Sequence, residues 1–153
     1  MSNKKDFLSI ADLTPEQVRQ LVESALTMKQ IGSSRLLDGK IIALLFEKPS
    51  LRTKASFETG IRRLGGQTVY FGRDEVGLGV RESVADATRV LERMFDGVVA
   101  RVFSHQNLEE MAHHANIPII NALSDVEHPC QALADLLTLQ EVFGELRGRR
   151  VVY

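Results

Sequence analysis

A strand-to-helix junction at residues 40–58 constrains the fold of this chain more than any other feature. Residues 40–46, K-I-I-A-L-L-F, form a continuous apolar run of strand length, which predicts a strand covered on both faces. Ser50 then opens a helical pattern that is marked by Phe57, Ile61 and Leu64. A buried strand followed directly by a helix is the unit from which parallel sheets are built.

The same alternation continues along the chain. A helix precedes the junction, with Thr14 as its N-cap and Gly32 at its end. Further strands are predicted at 68–71, 98–103 and 118–121, and further helices at 84–95, 108–115 and 129–143, whereas residues 72–82 read as a glycine-rich loop without periodicity. We therefore expect an α/β fold, a three-layer domain with a mainly parallel central sheet flanked by helices. Ligands of such sheets bind beyond the carboxyl ends of the strands.

Composition narrows the class of protein. The chain has 153 residues, 44% of them apolar, and a formal net charge of −1, so it suits one domain and lacks the basic field that nucleic acid requires. Its single cysteine, Cys130, cannot form an internal disulfide, and residues 1–6 lack the apolar stretch of a signal peptide. No apolar run approaches the roughly 20 residues of a membrane span. We expect a cytoplasmic protein with no nucleic-acid or membrane partner.

Four hydroxyl and cationic residues, Ser50, Arg52, Thr53 and Lys54, stand at the junction. An anion there would meet free backbone N–H groups, the positive end of a helix dipole and an arginine fork. The alternative is a plain serine N-cap with solvated cations. The chain contains no Walker A loop, and Gly77-Leu78-Gly79 fails the dinucleotide pattern because its sixth position is Glu82.

Further candidates lie within a later strand and at the start of the last helix. Arg101 is the only charged residue in the run 98–103, and a buried guanidinium needs an anion or a carboxylate partner, unless the strand simply ends at Ala100. His128 and Gln131 lie three residues apart at the start of the last helix, so both can face one ligand. Alternatively, Gln131 caps the backbone of residue 128.

The remaining polar clusters are weaker signals. Arg81, in the loop 74–83, could reach an anion on this or a neighbouring subunit, although a solvated loop residue is the simpler interpretation. His105, His113 and His114 do not make a metal set, because the adjacent pair diverges on a helix and no carboxylate or cysteine completes a ligand spacing. We assign Cys130 no role.

Taken in order, three of these segments resemble the transcarbamylase (aspartate/ornithine carbamoyltransferase) family. F-E-K-P-S-L-R-T-K-A-S-F-E at 46–58 is similar to its carbamoyl-phosphate signature S-x-R-T-R, and S-V-A-D-A-T-R-V-L at 83–91 is similar to E-S-x-x-D-T-A-R-V-L. H-P-C-Q-A-L-A-D-L at 128–136 resembles H-P-[TC]-Q-x-L-A-D-L. Three ordered motifs are a more specific signal than any single one. The forms H-P-C-Q-A-L-A-D-L-L and L-G-V-x-E-S resemble most the ornithine branch.

The resemblance implies a reaction and a set of roles. Carbamoyl phosphate would give its carbamoyl group to the side-chain amine of ornithine, forming citrulline and phosphate in arginine metabolism, without metal or cofactor. The phosphate would be held by five consecutive residues: Ser50, Leu51, Arg52, Thr53 and Lys54. Arg101 would bridge the phosphate and the carbonyl oxygen, and His128 would polarise the carbonyl. Together with Thr53 they would stabilise the charge that develops on that oxygen, and Gln131 would bind the carbamoyl amide. An aspartate or putrescine carbamoyltransferase, or a non-catalytic anion-binding module, stays open as an alternative.

The resemblance also implies a domain that binds the amino-acid acceptor. Residues 1–148 would form the carbamoyl-phosphate-binding domain and 149–153 the start of that second domain, so that this chain alone would have little turnover. Because members of the family assemble as trimers, the resemblance also implies a homotrimer for the complete protein. Two positions depart from its pattern: Lys54 replaces an arginine, and Gly77 replaces a glutamine or histidine that reaches the neighbouring subunit's phosphate. Arg81 is a possible substitute for that contact.

Overall fold

The computed structural model describes residues 4–32 and 34–152 of the chain. Four strands form one parallel sheet in the order β2-β1-β3-β4: β1 (Ile41–Phe46), β2 (Gln67–Phe71), β3 (Gly97–Arg101) and β4 (Ile119–Leu123). The helices are α1 (Pro15–Ile31), α2 (Leu51–Arg63), α3 (Arg73–Val76), α4 (Val84–Met94), α5 (His105–His114) and α6 (Pro129–Phe143), and a short 3-10 helix spans Ile10–Asp12. The predicted three-layer α/β fold is confirmed.

The order of the strands creates a switch point between β1 and β3. From β1 the chain crosses to β2 on one side, and it later returns to place β3 on the other side of β1. The loops after β1 and β3 therefore diverge and leave a crevice at their carboxyl ends. Open parallel sheets bind their ligands in such crevices.

Alternating side chains of the central strands pack on two separate cores. Ala43 and Leu45 of β1 belong to a buried cluster that includes Leu108 and Met111 of α5. Leu44 and Phe46 belong to a second cluster with Ile61, Val99 and Ala122, against which Phe57 of α2 packs. Because side chains of a strand alternate between faces, α5 and α2 cover opposite faces of the sheet.

The helix ends follow their predicted capping chemistry. Thr14 Oγ1 accepts from the N–H of Gln17, and the Gln17 side chain accepts from the N–H of Thr14, which completes a capping box on α1. The α1 helix ends at Gly32, whose φ of 84° suits glycine. Both ends of the predicted first helix are thus confirmed.

The structure corrects two expectations. The supposed loop 72–82 contains the one-turn helix α3, because the Glu75 side chain accepts from the N–H of Gly72 at 2.8 Å and caps the turn. Strand β3 ends at Arg101 rather than Phe103, since the pairing with β4 shifts at Ala100/Arg101 and the N–H of Phe103 donates to Glu47 Oε2 at 2.7 Å.

Residues 149–152 form no helix or strand, and Tyr153 lies outside the described residues, so a second domain beginning there stays a prediction. Within the described part of the chain, no helix has the length and apolarity needed to cross a membrane.

Candidate functional site

Three segments bring the predicted residues to the switch point. Helix α2 begins one turn after β1, with Ser50 as its N-cap, and Arg101 is the last residue of β3. His128 is the N-cap of α6, which follows β4, and Pro129 occupies the first helical position, where its missing N–H is not needed. Strand ends and helix starts therefore place these side chains without help from long loops.

These segments line a cavity of about 580 Å³. Its wall consists of Ser50, Arg52, Thr53, Ser56, Phe57, Arg101, His128, Cys130, Gln131 and Ala134. Six of the residues predicted from the sequence are thus brought together: Ser50, Arg52, Thr53, Arg101, His128 and Gln131. Of the described lining residues, none is a carboxylate, and the cavity suits an anion.

The hydroxyl of Thr53 is oriented by its neighbours. Ser50 Oγ donates to Thr53 Oγ1 at 3.0 Å, and Arg101 Nη1 donates to the same oxygen at a longer 3.4 Å. A hydroxyl has two acceptor lone pairs and one hydrogen, so with both lone pairs engaged Thr53 has its hydrogen left to donate. Thr53 can therefore act as a donor toward a ligand oxygen.

Two buried nitrogens of the site lack partners. Among the described residues nothing hydrogen-bonds to Nε of Arg101 or Nδ1 of His128, although both atoms are buried. Buried polar atoms are nearly always hydrogen-bonded, and leaving one unmade destabilises the fold. Both side chains line the cavity, which makes a polar ligand the economical explanation for these atoms.

Electrostatics at the cavity favour negative charge. The N-termini of α2 and α6 both border it, and each carries the positive end of a helix dipole. Arg52 and Arg101 add two full charges. The pKa of His128 is lowered from its usual 6.5, first by burial and then by the charge of Arg101, while Asp135 raises it slightly. At neutral pH the imidazole is therefore uncharged and offers one N–H donor.

Three predicted residues do not line the cavity. The side chain of Leu51 is 85% exposed. The ammonium of Lys54 lies 3.8 Å from the centre of the Tyr70 ring, a cation–π contact on the flank of β2. Arg81 donates from Nη1 to the backbone oxygen of Asp74 at 3.1 Å. The cross-subunit role of Arg81 stays a prediction.

The geometry explains why glycine occupies position 77. Gly77 has a φ of +48°, and a Cβ there would lie 2.7 Å from both Cγ and Cδ of Arg81. A side chain at this position would strain the backbone and displace the arginine. Gly77 and the folded-back Arg81 therefore form one local arrangement.

Four lining residues escaped the sequence reasoning: Ser56, Phe57, Cys130 and Ala134. The signal was present in the helical spacing, because Ser56 and Phe57 lie three and four residues after Thr53, on the same helix face. Burial raises the pKa of the Cys130 thiol to about 11, and this thiol donates to the backbone oxygen of Asn121 at 3.3 Å. The thiol is thus protonated at neutral pH and serves packing rather than nucleophilic attack.

A larger groove of about 870 Å³ lies between α1 and the end of α2 and is also lined by Ser34 and Leu36, which follow α1. It is mostly apolar, and none of the candidate site residues named from the sequence lines it, so the smaller cavity is the better candidate site. Within the described residues, no group of three or more histidine, cysteine, aspartate or glutamate side chains could hold a metal ion.

Comparison with known proteins identifies the family of this chain. Residues 5–141 match the family model described as aspartate/ornithine carbamoyltransferase, carbamoyl-P binding domain. The chain belongs to the aspartate/ornithine carbamoyltransferase family. The cavity lies wholly within the matched residues of this carbamoyl-P binding domain.

Individual relatives are named ornithine carbamoyltransferase. The ornithine carbamoyltransferase of Anoxybacillus flavithermus is 45% identical over 97% of this chain and 49% of its own length. The crystal structure of ornithine carbamoyltransferase from Thermus thermophilus has a TM-score of 0.88 at 48% identity, over 94% of this chain and 50% of that one. The Pyrococcus furiosus enzyme has a TM-score of 0.91 at 41% identity, over 97% and 49%. The chain spans about half the length of the curated relatives it matches.

Proposed function

We propose that this chain is the carbamoyl-phosphate-binding half of an ornithine carbamoyltransferase. The observation that carries the proposal is the convergence of Thr53, Arg101 and His128 on one cavity at the switch point of the sheet, bordered by two helix N-termini. The family match supports carbamoyl phosphate as the ligand. The names of the relatives support ornithine as the acceptor.

In this proposal the phosphate binds at the start of α2. Arg52 offers a planar fork, and Leu51 contributes its backbone N–H, which has no intrahelical partner at the first helical position. The Ser50 hydroxyl turns its hydrogen from Thr53 to a phosphate oxygen, and Thr53 contributes its backbone N–H, because its one hydroxyl hydrogen serves the carbonyl oxygen. The ammonium of Lys54 lies over Tyr70 and its backbone N–H donates to the oxygen of Ser50, so its part is confined to the local charge.

The carbamoyl group then lies between β3 and α6. Arg101, His128 and Thr53 donate to its carbonyl oxygen, and the side-chain oxygen of Gln131 accepts from its NH₂ group. The neutral amine of ornithine attacks the carbonyl carbon and a C–N bond forms. The C–O bond to phosphate then breaks, and the departing phosphate takes the proton that the amine gives up. Negative charge grows on the carbonyl oxygen, so losing one donor should lower the rate about 10²- to 10³-fold.

The rest of the proposal concerns the longer protein. Its second half would bind ornithine, and citrulline and phosphate would be released as part of arginine metabolism in the cytoplasm. The longer protein would form a homotrimer, and this chain by itself would show little or no turnover. The coverage of about half of each relative supports this division of labour.

Calorimetry on this chain tests the proposal, with carbamoyl phosphate as ligand and inorganic phosphate as control. We expect clearly tighter binding of carbamoyl phosphate, because His128 and Gln131 contact only the carbamoyl group and Arg101 contacts it as well as the phosphate. Equal affinities would identify a generic anion site and overturn the proposal.

A further inference from the structure

Asp135, a carboxylate just outside the cavity, holds the side-chain amide of Gln131. Nε2 of Gln131 donates to Oδ1 of Asp135 at 2.8 Å, one helical turn further along α6. Gln131 lines the cavity, whereas Asp135 does not. The proposed site gives Gln131 a task but leaves Asp135 without one.

The chemistry of this pair determines which way the amide faces. An ionised carboxylate only accepts hydrogen bonds, so it can pair with the NH₂ end of a glutamine amide and not with the oxygen end. With its NH₂ group held by Asp135, the amide of Gln131 directs its oxygen away from that carboxylate. A glutamine without such a partner exposes its donor and acceptor ends about equally.

We propose that Asp135 is a positioning residue, which fixes the Gln131 amide so that its oxygen accepts from the NH₂ group of the carbamoyl ligand. The inference rests on the proposed function, since it presupposes a ligand with that group. It adds a source of selectivity: the site then distinguishes an amide from an acyl group of equal size, because a methyl group cannot donate to Gln131.

A second pair in the chain separates this role from ordinary helix stabilisation. On α1, Nε2 of Gln20 donates to Oε1 of Glu16 at 3.3 Å, with the same four-residue spacing, and neither residue lines the cavity. Both pairs lie on exposed helix surfaces and add a little to helix stability. Glu16→Ala is therefore the matched control for Asp135→Ala.

The experiment compares two stable phosphonates by calorimetry. Phosphonoacetamide carries the NH₂ group, and 2-oxopropylphosphonate carries a methyl group in its place. The wild-type chain should prefer the amide. Asp135→Ala should reduce that preference about 3- to 10-fold, the value of one exposed hydrogen bond, and leave the affinity for the ketone unchanged. Glu16→Ala should leave both affinities unchanged.

Two further variants make the test independent of folding. Asp135→Asn keeps the shape of the side chain, but its amide can pair with either end of the Gln131 amide and so no longer fixes its direction; it too should reduce the preference. In a Gln131→Ala background, Asp135→Ala should have no further effect on the preference, because the amide that it positions is gone.

The outcomes separate the inference from the proposed function. If the wild-type chain binds both phosphonates equally, or neither, the role of Gln131 fails and the inference fails with it. If the wild type prefers the amide and the two Asp135 variants keep that preference, only the inference is overturned. An equal loss of both ligands in Asp135→Asn would likewise overturn it, since that pattern indicates a structural role.

Discussion

Side chains that alternate along the two central strands meet different surroundings on the two faces of the sheet. On the face covered by α4 and α5, Leu45 and Ala100 join a buried apolar cluster with Leu108 and Met111. On the face covered by α2, Val99 joins a smaller buried cluster, and Arg101, two residues further along the same strand, lines the cavity. One face of β3 is thus apolar to its end, whereas the other ends in a guanidinium.

Residues that stabilise the fold and residues that line the cavity therefore lie on opposite faces of the same short strands. Apolar burial on the α4/α5 face supplies free energy of folding, and it tolerates no cavity without loss. The α2 face gives up some burial in order to keep Nε of Arg101 and Nδ1 of His128 at the crevice, where no described residue hydrogen-bonds to either atom. Variants on the two faces should therefore affect different measurements.

The largest effect is expected from Leu108→Ala on the α4/α5 face. Leu108 is fully buried, and shortening it leaves a cavity, so the free energy of unfolding should fall by about 2–5 kcal/mol. Urea denaturation measures this change. Val90→Ala, at a half-exposed position of α4, is the control and should change stability by less than about 0.5 kcal/mol. Carbamoyl-phosphate affinity should be unaffected in the folded fraction; a loss of affinity would show that the two faces are coupled.

Arg101→Met on the other face should give the reverse pattern. Removing hydrogen bonds to a charged ligand should weaken carbamoyl-phosphate binding about 10- to 100-fold. Stability should stay the same or rise, because a buried nitrogen without a partner is removed. Calorimetry and urea denaturation measure the two effects, and Arg93→Met at the exposed end of α4 controls for the lost charge. A stability loss as large as that of Leu108→Ala would indicate a structural role.

The two serine N-caps sharpen the comparison further. Ser83 Oγ accepts from the N–H of Asp86 at 3.1 Å at the start of α4, whereas Ser50 Oγ accepts from the N–H of Thr53 at 3.4 Å at the start of α2. Ser83→Ala should lower the free energy of unfolding by about 1 kcal/mol and leave binding intact. Ser50→Ala should lower it less, because its capping bond is longer, yet weaken carbamoyl-phosphate binding. If Ser50→Ala, like Ser83→Ala, lowered the free energy of unfolding but left carbamoyl-phosphate affinity intact, Ser50 would be only a cap.

Much of the fold was predictable because its signals are local. The capping box of α1, the apolar run of β1 and the Pro129 start of α6 each depend on neighbours within one or two turns. The one-turn helix α3 was missed because a single turn held by the Glu75 side chain leaves no periodicity to detect. The end of β3 was missed because a side chain distant in sequence, Glu47, takes the N–H of Phe103.

The candidate site was predictable as residue types but not as geometry. The motifs named Thr53 and His128, the lone charge in a predicted strand named Arg101, and the order of strands brings the three together. Whether Lys54 faces the cavity or the ring of Tyr70 depends on packing between α2 and β2, which no local pattern encodes. The same holds for Arg81, whose position depends on the missing Cβ of Gly77.

The smallest expected effect concerns the pH dependence of stability through His128. Burial and the charge of Arg101 hold its pKa below the usual 6.5, so between these two values the unfolded chain binds more protons than the folded one. The contribution of His128 is therefore fully present above pH 6.5 and is lost as the pH falls toward the folded pKa.

Urea denaturation of the wild type and of His128→Gln, from pH 7.5 down to 5, isolates this contribution. Their difference in unfolding free energy should be constant above about pH 7 and should shift in favour of the glutamine variant below 6.5, because glutamine does not titrate. An NMR titration should show that Arg101→Met raises the pKa of His128 only part of the way back to 6.5, since burial is the larger cause of the lowered pKa. A difference that stays flat across the whole range would show that the imidazole is not held neutral by the α2 face, and the contrast between the two faces would then rest on Arg101 alone.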